Sequence, residues 1–282
     1  MNETILLYEA VGPLGARRHR IYSWLGGLLV FGLLMAITMR LAARGQFDAD
    51  RWVVFSKAAV WKFLFIGLLA TLQAAALSAV FSMVLAFPIA LCRLSNNRWL
   101  RKTAEVYISL MRAVPLLLVI LFMTVLLPAF GFAWPGLAFL VIAMTLHHSA
   151  LTAEIVRSGI LSLERGQREA ALAVGMTTFQ AMVYIILPQA LKRMTPALIG
   201  QLLAVVQDTS LGYIIPYNEL LRSSQLISTY APQSLLSAAF ISTVMYGIIS
   251  AALLYLQRYF NLRKRARGIA GPLNCYHEPI QK

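Results

Sequence analysis

Four stretches of this chain, residues 21–39, 63–92, 113–153 and 223–257, run without a charged side chain. Each is close to or above the roughly 20 residues that carry an α-helix across a bilayer. Inside lipid every backbone amide and carbonyl needs an internal partner, so such stretches are confined to helix unless they close a barrel. The third is too long for one helix and breaks at Pro128-Ala129-Phe130-Gly131 and Trp134-Pro135-Gly136. A further segment, 194–217, carries one charge, Asp208. The expectation is an all-α membrane protein with six spans, near 21–41, 64–92, 106–130, 137–156, 194–216 and 233–256. Composition agrees: 59% of the 282 residues are hydrophobic and 13% charged, against roughly 25% charged in soluble domains.

Basic residues near span ends stay on the cytoplasmic side. With the N-terminus inside, the inner segments hold Arg17, Arg18 and Arg20; Arg93, Arg98, Arg101 and Lys102; Arg157, Arg165, Arg168, Lys192 and Arg193; and Arg258, Arg263, Lys264, Arg265, Arg267 and Lys282. That is 18 of the 25 Lys and Arg residues, so both termini are expected in the cytoplasm of a multi-pass cell-membrane protein. The net charge of +14 then sits beside anionic headgroups, and no basic soluble module suggests nucleic-acid binding. The first apolar run starts near Ile21 and lacks a small-residue cleavage site before Arg40, which predicts a retained helix instead of a signal peptide. Asn2-Glu3-Thr4 fits a glycosylation pattern but falls on the side expected to face the cytoplasm. Cys92 and Cys275 are far apart and imply neither a disulfide nor a metal site.

Between the spans lies one polar loop, residues 164–190. Residues 168–174 are good helix formers, and Gly175 supplies a helix stop. Thr177 followed by Gln180 fits a capping box for a second short helix, expected to end before Pro188. The chain has no phosphate loop, no dinucleotide glycine fingerprint and no metal-type His/Cys spacing, so no catalytic residues are assigned and no ATP hydrolysis is expected from it. His147 and His148 are adjacent on a helix and point about 100° apart, which disfavours a shared metal. A buried hydrogen-bonded role or a pore-lining role remains open for them. Ser149 has no acid placed to complete a nucleophilic set.

The loop resembles the EAA motif of ABC importer permeases, carried by Glu169, Ala170, Ala171, Gly175, Ile185, Leu187 and Pro188. From Gly67 to about Leu256 the motif order is similar to permeases of polar amino acid ABC importers of the histidine, glutamate and glutamine type. It runs through Gly67-x-x-x-Thr71-Leu72, Arg93-Leu94-Ser95, Met111-Arg112-Ala113-Val114-Pro115, Ala153-Glu154-Ile155-Val156-Arg157 and Gln207-Asp208-Thr209-Ser210-Leu211. The chain departs from that family at His147-His148-Ser149-Ala150-Leu151, where Asn-x-Ala-Tyr is frequent, and at Gln207, where Lys is frequent. The extra first span, the outer stretch near Asp48 and Leu211-Gly212-Tyr213 are most similar to the second permease of actinobacterial glutamate importers.

The resemblance implies a type I ABC importer permease core with a cytoplasmic coupling hairpin. It divides the chain into an N-terminal part with first span and outer linker (1–62), a transmembrane permease domain (63–257, coupling loop 157–192) and a basic tail (258–282). It implies two ATPase subunits, which carry the ATP, a second permease, identical or related, and an extracytoplasmic binding protein. Glutamate is the first substrate expected, with glutamine, a basic amino acid or cystine as alternatives. Glu169, Ala170, Ala171, Gly175, Leu187 and Pro188 would couple to the ATPase.

Charges inside spans are functional suspects, which singles out Arg112, Glu154 and Asp208; Thr209, Ser210 and His147 join them as candidates for the solute path. Two structural readings stand beside these. Glu154 and Arg157, at i and i+3, fit an ion pair, and Asp208 fits an N-cap for a helix from Thr209. An ATP-independent carrier or channel is the alternative function, with Asp208 and Glu154 as its only coupling acids, although the chain shows no internal repeat. An exporter fits the loop less well. Residues 44–62 suit either a binding-protein contact or a solvated linker.

Overall fold

The computed structural model describes residues 13–163 and 165–266, with side chains described for 21–163 and 166–260. Asn2-Glu3-Thr4, Glu164, Cys275 and the tail beyond residue 266 lie outside the described residues, as do the side chains of Arg17, Arg18, Arg20, Arg165, Arg263, Lys264 and Arg265. The chain divides into two compact units that meet between Ser56 and Lys57.

The first unit consists of helix α1 (Pro13–Ala43) followed by short 3-10 turns at Ala49–Arg51 and Val53–Ser56. Ile21–Ala43 has the length and hydropathy of a membrane span. Gly45, in the left-handed region at φ +64°, turns the chain out of α1, and Arg51 Nη1 donates to Gln46 Oε1 at 3.0 Å.

The second unit is built on α2 (Ala58–Leu94), α3 (Arg98–Ala113), α4 (Leu116–Ala129), α5 (Gly136–Leu161), α6 (Arg165–Ala173), α7 (Thr178–Gln180), α8 (Leu187–Asp208), α9 (Leu220–Tyr230) and α10 (Leu235–Ala266). Among the described residues five helical segments are long and apolar enough for spans, and α3 and α4 taken together, across a 101° bend, are long and apolar enough for a sixth.

Helix α2 packs along α5 through a stripe of small residues, Gly67, Thr71, Ala74, Ala75, Ser78, Ser82, Ala86 and Ala90, all buried. In lipid, where hydrophobicity alone does not drive helices together, small side chains let two backbones approach closely and gain packing. Gly67, at the start of the stripe, faces α9 instead, where a Cβ would run into Ser223 Oγ. Two buried clusters fill the core. One gathers Ile120, Leu140, Met144 and Val205; the other joins Ala86, Ala150, Val156, Ile186, Ala190 and Met194.

The span boundaries differ from expectation in two places. The third span, expected as one helix over 106–130, is two helices: Val114 is extended (φ −85°, ψ 125°) because the following Pro115 excludes the helical conformation from its predecessor. The second hairpin helix does not end before Pro188. A π turn, Ala181–Ile186, carries it directly into α8, and Pro188 falls in the first turn of that helix, where its missing N–H costs least. The fifth span therefore runs Thr178–Ile214 instead of starting at 194. The break expected at 128–136 is present: α4 ends at Ala129 and α5 starts at Gly136.

Candidate functional site

The polar loop folds as a helical hairpin whose joint follows from four residues. Gly175 takes φ +84°. Its N–H bonds Leu172 O at 3.0 Å and the Met176 N–H bonds Ala171 O at 3.2 Å. That pair of bonds is the Schellman closure, which satisfies the last carbonyls of α6. Thr177 then opens the second arm with the expected capping box: Gln180 N–H donates to Thr177 Oγ1 at 3.2 Å, and Thr177 N–H donates to Gln180 Oε1 at 2.8 Å.

Ala171, on α6, and Ala181, in the π turn, are both buried, and small side chains there let the two arms lie close. Gln189 Nε2 donates to Gln167 Oε1 at 3.2 Å between the arms, and Arg193 donates to the Ser162 carbonyl. The π turn ends at Ile186, which with Ala190 belongs to the core cluster around Val156. The hairpin is thus seated in the transmembrane core through its second arm. Its tip is open: Val174 and Phe179 are 76% and 74% exposed. Behind the hairpin a cavity of about 750 Å³ is lined by Leu94, Asn96, Ile160, Glu169 and Met182 among others.

The solute-path candidates fall into distinct surroundings. Glu154 accepts from Arg157 Nε at 2.9 Å and lies 3.9 Å from Arg93 Nε, so the ion pair foreseen at i, i+3 is present and a second helix, α2, joins it. Arg93 also meets Glu105 at 3.4 Å, which links α2, α3 and α5. Asp208 does not cap a helix: it makes no side-chain cap bond and is itself helical. Its Oδ2 stands 3.3 Å from Nε2 of the wholly buried His148, whose Nδ1 lies 2.8 Å from Gln201 Nε2. His147 is half-buried beside it, with the two rings edge to face at 5.4 Å. Thr209 is buried with its hydroxyl bonded back to Val206 O at 2.7 Å. Ser210 is half-buried and Arg112 exposed. Ser149 shares a 2.8 Å hydrogen bond with Tyr107 Oη. Among the described residues no three His, Cys, Asp or Glu side chains group as metal ligands.

Sequence reasoning passed over Glu219. Its side chain is wholly buried and caps α9, accepting from Leu221 N–H at 2.7 Å and Arg222 N–H at 2.6 Å. Tyr246, from α10, donates its hydroxyl to Glu219 Oε2 at 2.7 Å. Burial raises the Glu219 pKa above the ordinary carboxylate value, opposed by those three donors. Tyr217 is pushed up to about 12, by burial first and by the Glu219 charge second. The available signal was an acid one residue before an apolar helix, a weak pattern by itself.

Residues 78–266 match the family described as binding-protein-dependent transport system inner membrane component. Over 230 residues the chain is 34% identical to the glutamate transport system permease protein GluD of Corynebacterium glutamicum, covering 80% of this chain and 84% of that one. It is also 34% identical over 197 residues to the probable glutamine ABC transporter permease protein GlnP of Bacillus subtilis, covering 67% and 90%. Among solved structures, the crystal structure of an amino acid ABC transporter with histidines aligns at a TM-score of 0.68 and 29% identity, over 74% of this chain and 97% of the other. The inward-facing MetNI methionine transporter, at 0.60 and 19% over 72% and 99%, shares the fold. With its helical spans, its hairpin and a family match over most of its length, this chain belongs to the binding-protein-dependent transport system inner membrane components.

Proposed function

We propose that the chain is the permease half of an ATP-driven importer for a polar amino acid, with glutamate the first substrate to test. The observation that carries this reading is the hairpin: an exposed apolar tip, Val174 and Phe179, at the end of a helix that continues unbroken into a span. Burying two such side chains against a partner contributes about 1.5–3 kcal/mol each. The occupant of the tip is an ATPase subunit, one for each of two permeases. Glu169, Ala170, Ala171 and Gly175 shape the docking arm, while Leu187 and Pro188 hold the second arm in phase with α8. Closure of the ATPases moves the hairpin, and packed helices answer by switching between discrete arrangements. The names of the glutamate and glutamine relatives support the substrate class.

In this reading both termini and the hairpin face the cytoplasm, and an extracytoplasmic binding protein delivers solute to the opposite side. Arg112, His147, Asp208 and Ser210 line the path. An exposed guanidinium suits a passing carboxylate, and Asp208 beside His148 suits an ammonium group. Glu154 and Thr209, whose polar atoms are taken up by Arg157 and by Val206 O, hold the helices that frame it.

Affinity purification of the tagged chain from membranes, with mass spectrometry of what co-elutes, tests the assembly. Recovery of an ATPase and a second permease, with ATP-dependent uptake of labelled glutamate into vesicles, is the expected result. Recovery of the chain alone, with ATP-independent flux, would instead establish a carrier or channel.

A further inference from the structure

Far along α2 from the hairpin, one carboxylate is removed from water completely. Glu219 has no exposed surface, and both of its oxygens are occupied, by two amides of its own helix and by the Tyr246 hydroxyl. The neighbouring residues extend the attachment. Leu220 donates its N–H to Thr71 Oγ1 on α2 at 3.1 Å, and Tyr217 donates its hydroxyl to Ala70 O, also on α2, at 2.7 Å. Arg222 reaches back to Tyr213 O at 3.5 Å, inside the 3-10 turn Thr209–Ile214 that ends the fifth span. The short segment around Glu219 is therefore fastened to α2 and α10 together. A carboxylate withdrawn from water is costly unless fully hydrogen-bonded, so its presence here marks a place where geometry is held.

The helix that ends at this fastening begins at the hairpin. Thr178–Ile214 is 37 residues long, a rod of about 55 Å at 1.5 Å per residue. We infer that Glu219 is a positioning residue for transport: through Tyr246 it pins the outer end of this rod, so that a push on the hairpin tilts the rod about a fixed point instead of sliding it lengthwise. The inference rests on the importer reading. A pinned rod moves in proportion to distance from the pin. Gln201 is 13 residues from the outer end, about 20 Å at the same rise, and shifts by about a third of the hairpin displacement. Asp208, six residues from the end and about 9 Å from it, shifts by about a sixth, half as far as Gln201. The Gln201–His148–Asp208 arrangement then opens more at the Gln201 end than at the Asp208 end. Without the pin the rod slides, and hydrolysis no longer reorients the path.

The test reconstitutes the whole complex with its ATPase and binding protein in ATP-loaded proteoliposomes, and reads uptake of labelled glutamate, glutamine, arginine and cystine per ATP hydrolysed. Glu219→Ala and Tyr246→Phe are each expected to lower that ratio by about fivefold or more while hydrolysis stays near the wild-type rate. The double variant is expected to lose less than the sum of the two single losses, because the residues share the Glu219–Tyr246 bond. Should Glu219→Ala fail to accumulate, Tyr246→Phe decides alone, since it removes a single hydroxyl. An unchanged ratio in Tyr246→Phe, additive losses in the double variant, or hydrolysis falling in parallel with uptake would overturn the pin and leave the importer reading intact. Absence of ATP-dependent uptake by the wild-type complex would overturn both.

Discussion

Gly175 offers the sharpest test of the hairpin, because its contribution separates from everything else in the chain. A Cβ built there meets nothing within 4 Å, so a substitution changes backbone energy alone. At φ +84° an ordinary L-residue is destabilised by about 1–2 kcal/mol, a factor of roughly 5–30. The free hairpin relaxes that strain by loosening its joint and docking restores it, so binding of the ATPase loses that amount; strain carried equally in both states would cancel. Asn tolerates the left-handed region and is expected near wild type; Ala is expected to weaken ATPase association by about tenfold.

Pro is a harsher change, for two separate reasons. Its ring fixes φ near −65°, and it removes the N–H that bonds Leu172 O at 3.0 Å, worth about another 1 kcal/mol. The two together come to at least about 2–3 kcal/mol, a loss of roughly 30- to 150-fold. The assay is ATPase binding to the purified chain in nanodiscs, followed by uptake in vesicles, with the amount of chain in the membrane as control. Equal binding by the Gly, Asn, Ala and Pro forms would refute the argument, and so would loss of the chain from the membrane in the Ala form.

Glu169→Lys is expected to abolish ATP-coupled uptake while leaving the chain in the membrane, which uptake assays and membrane immunoblots would check; normal uptake would remove Glu169 from the coupling set. Gly67→Ala drives a methyl into Ser223 Oγ and is expected to cost about 1–3 kcal/mol, read as a lowered Tm in detergent and largely recovered by adding Ser223→Gly. Arg112→Ala is expected to raise the apparent KM for uptake, and unchanged affinity and rate would take Arg112 off the path.

The spans and the hairpin joint were legible in sequence because their causes are local. An uncharged run commits itself to helix in lipid, and the Thr177 and Gln180 box needs only residues three apart. The misreadings also have local signs with a nonlocal outcome. Pro188 reads as a stop, yet a π turn shifts it into the first turn of the next helix, where proline is tolerated. Pro115 is visible in the sequence, but hydropathy averages over a bend and so merges the helices on either side of it into one span. Asp208 looked like a cap until its helix continued and His148, from another helix, came within 3.3 Å. Glu219 gave least warning of all: Tyr246 lies 27 positions away, and the Leu220–Thr71 bond beside it spans 149. No pattern in a window of residues announces such a partnership.

The π turn at Ala181–Ile186 has one more consequence, for the rotational phase of the path. Each residue along an α-helix advances the side-chain direction by about 100°. The number of residues between the Thr177 cap and Asp208 therefore decides which way Gln201 and Asp208 face. Removing a single residue from the α-helical stretch between the π turn and Gln201 would leave the hairpin folded and the span just as apolar, yet would swing those two side chains away from His148. A hairpin transplanted from another permease carries its function only if it arrives with the same count of residues, so the hairpin end of this helix works as the dial on which its far end is set.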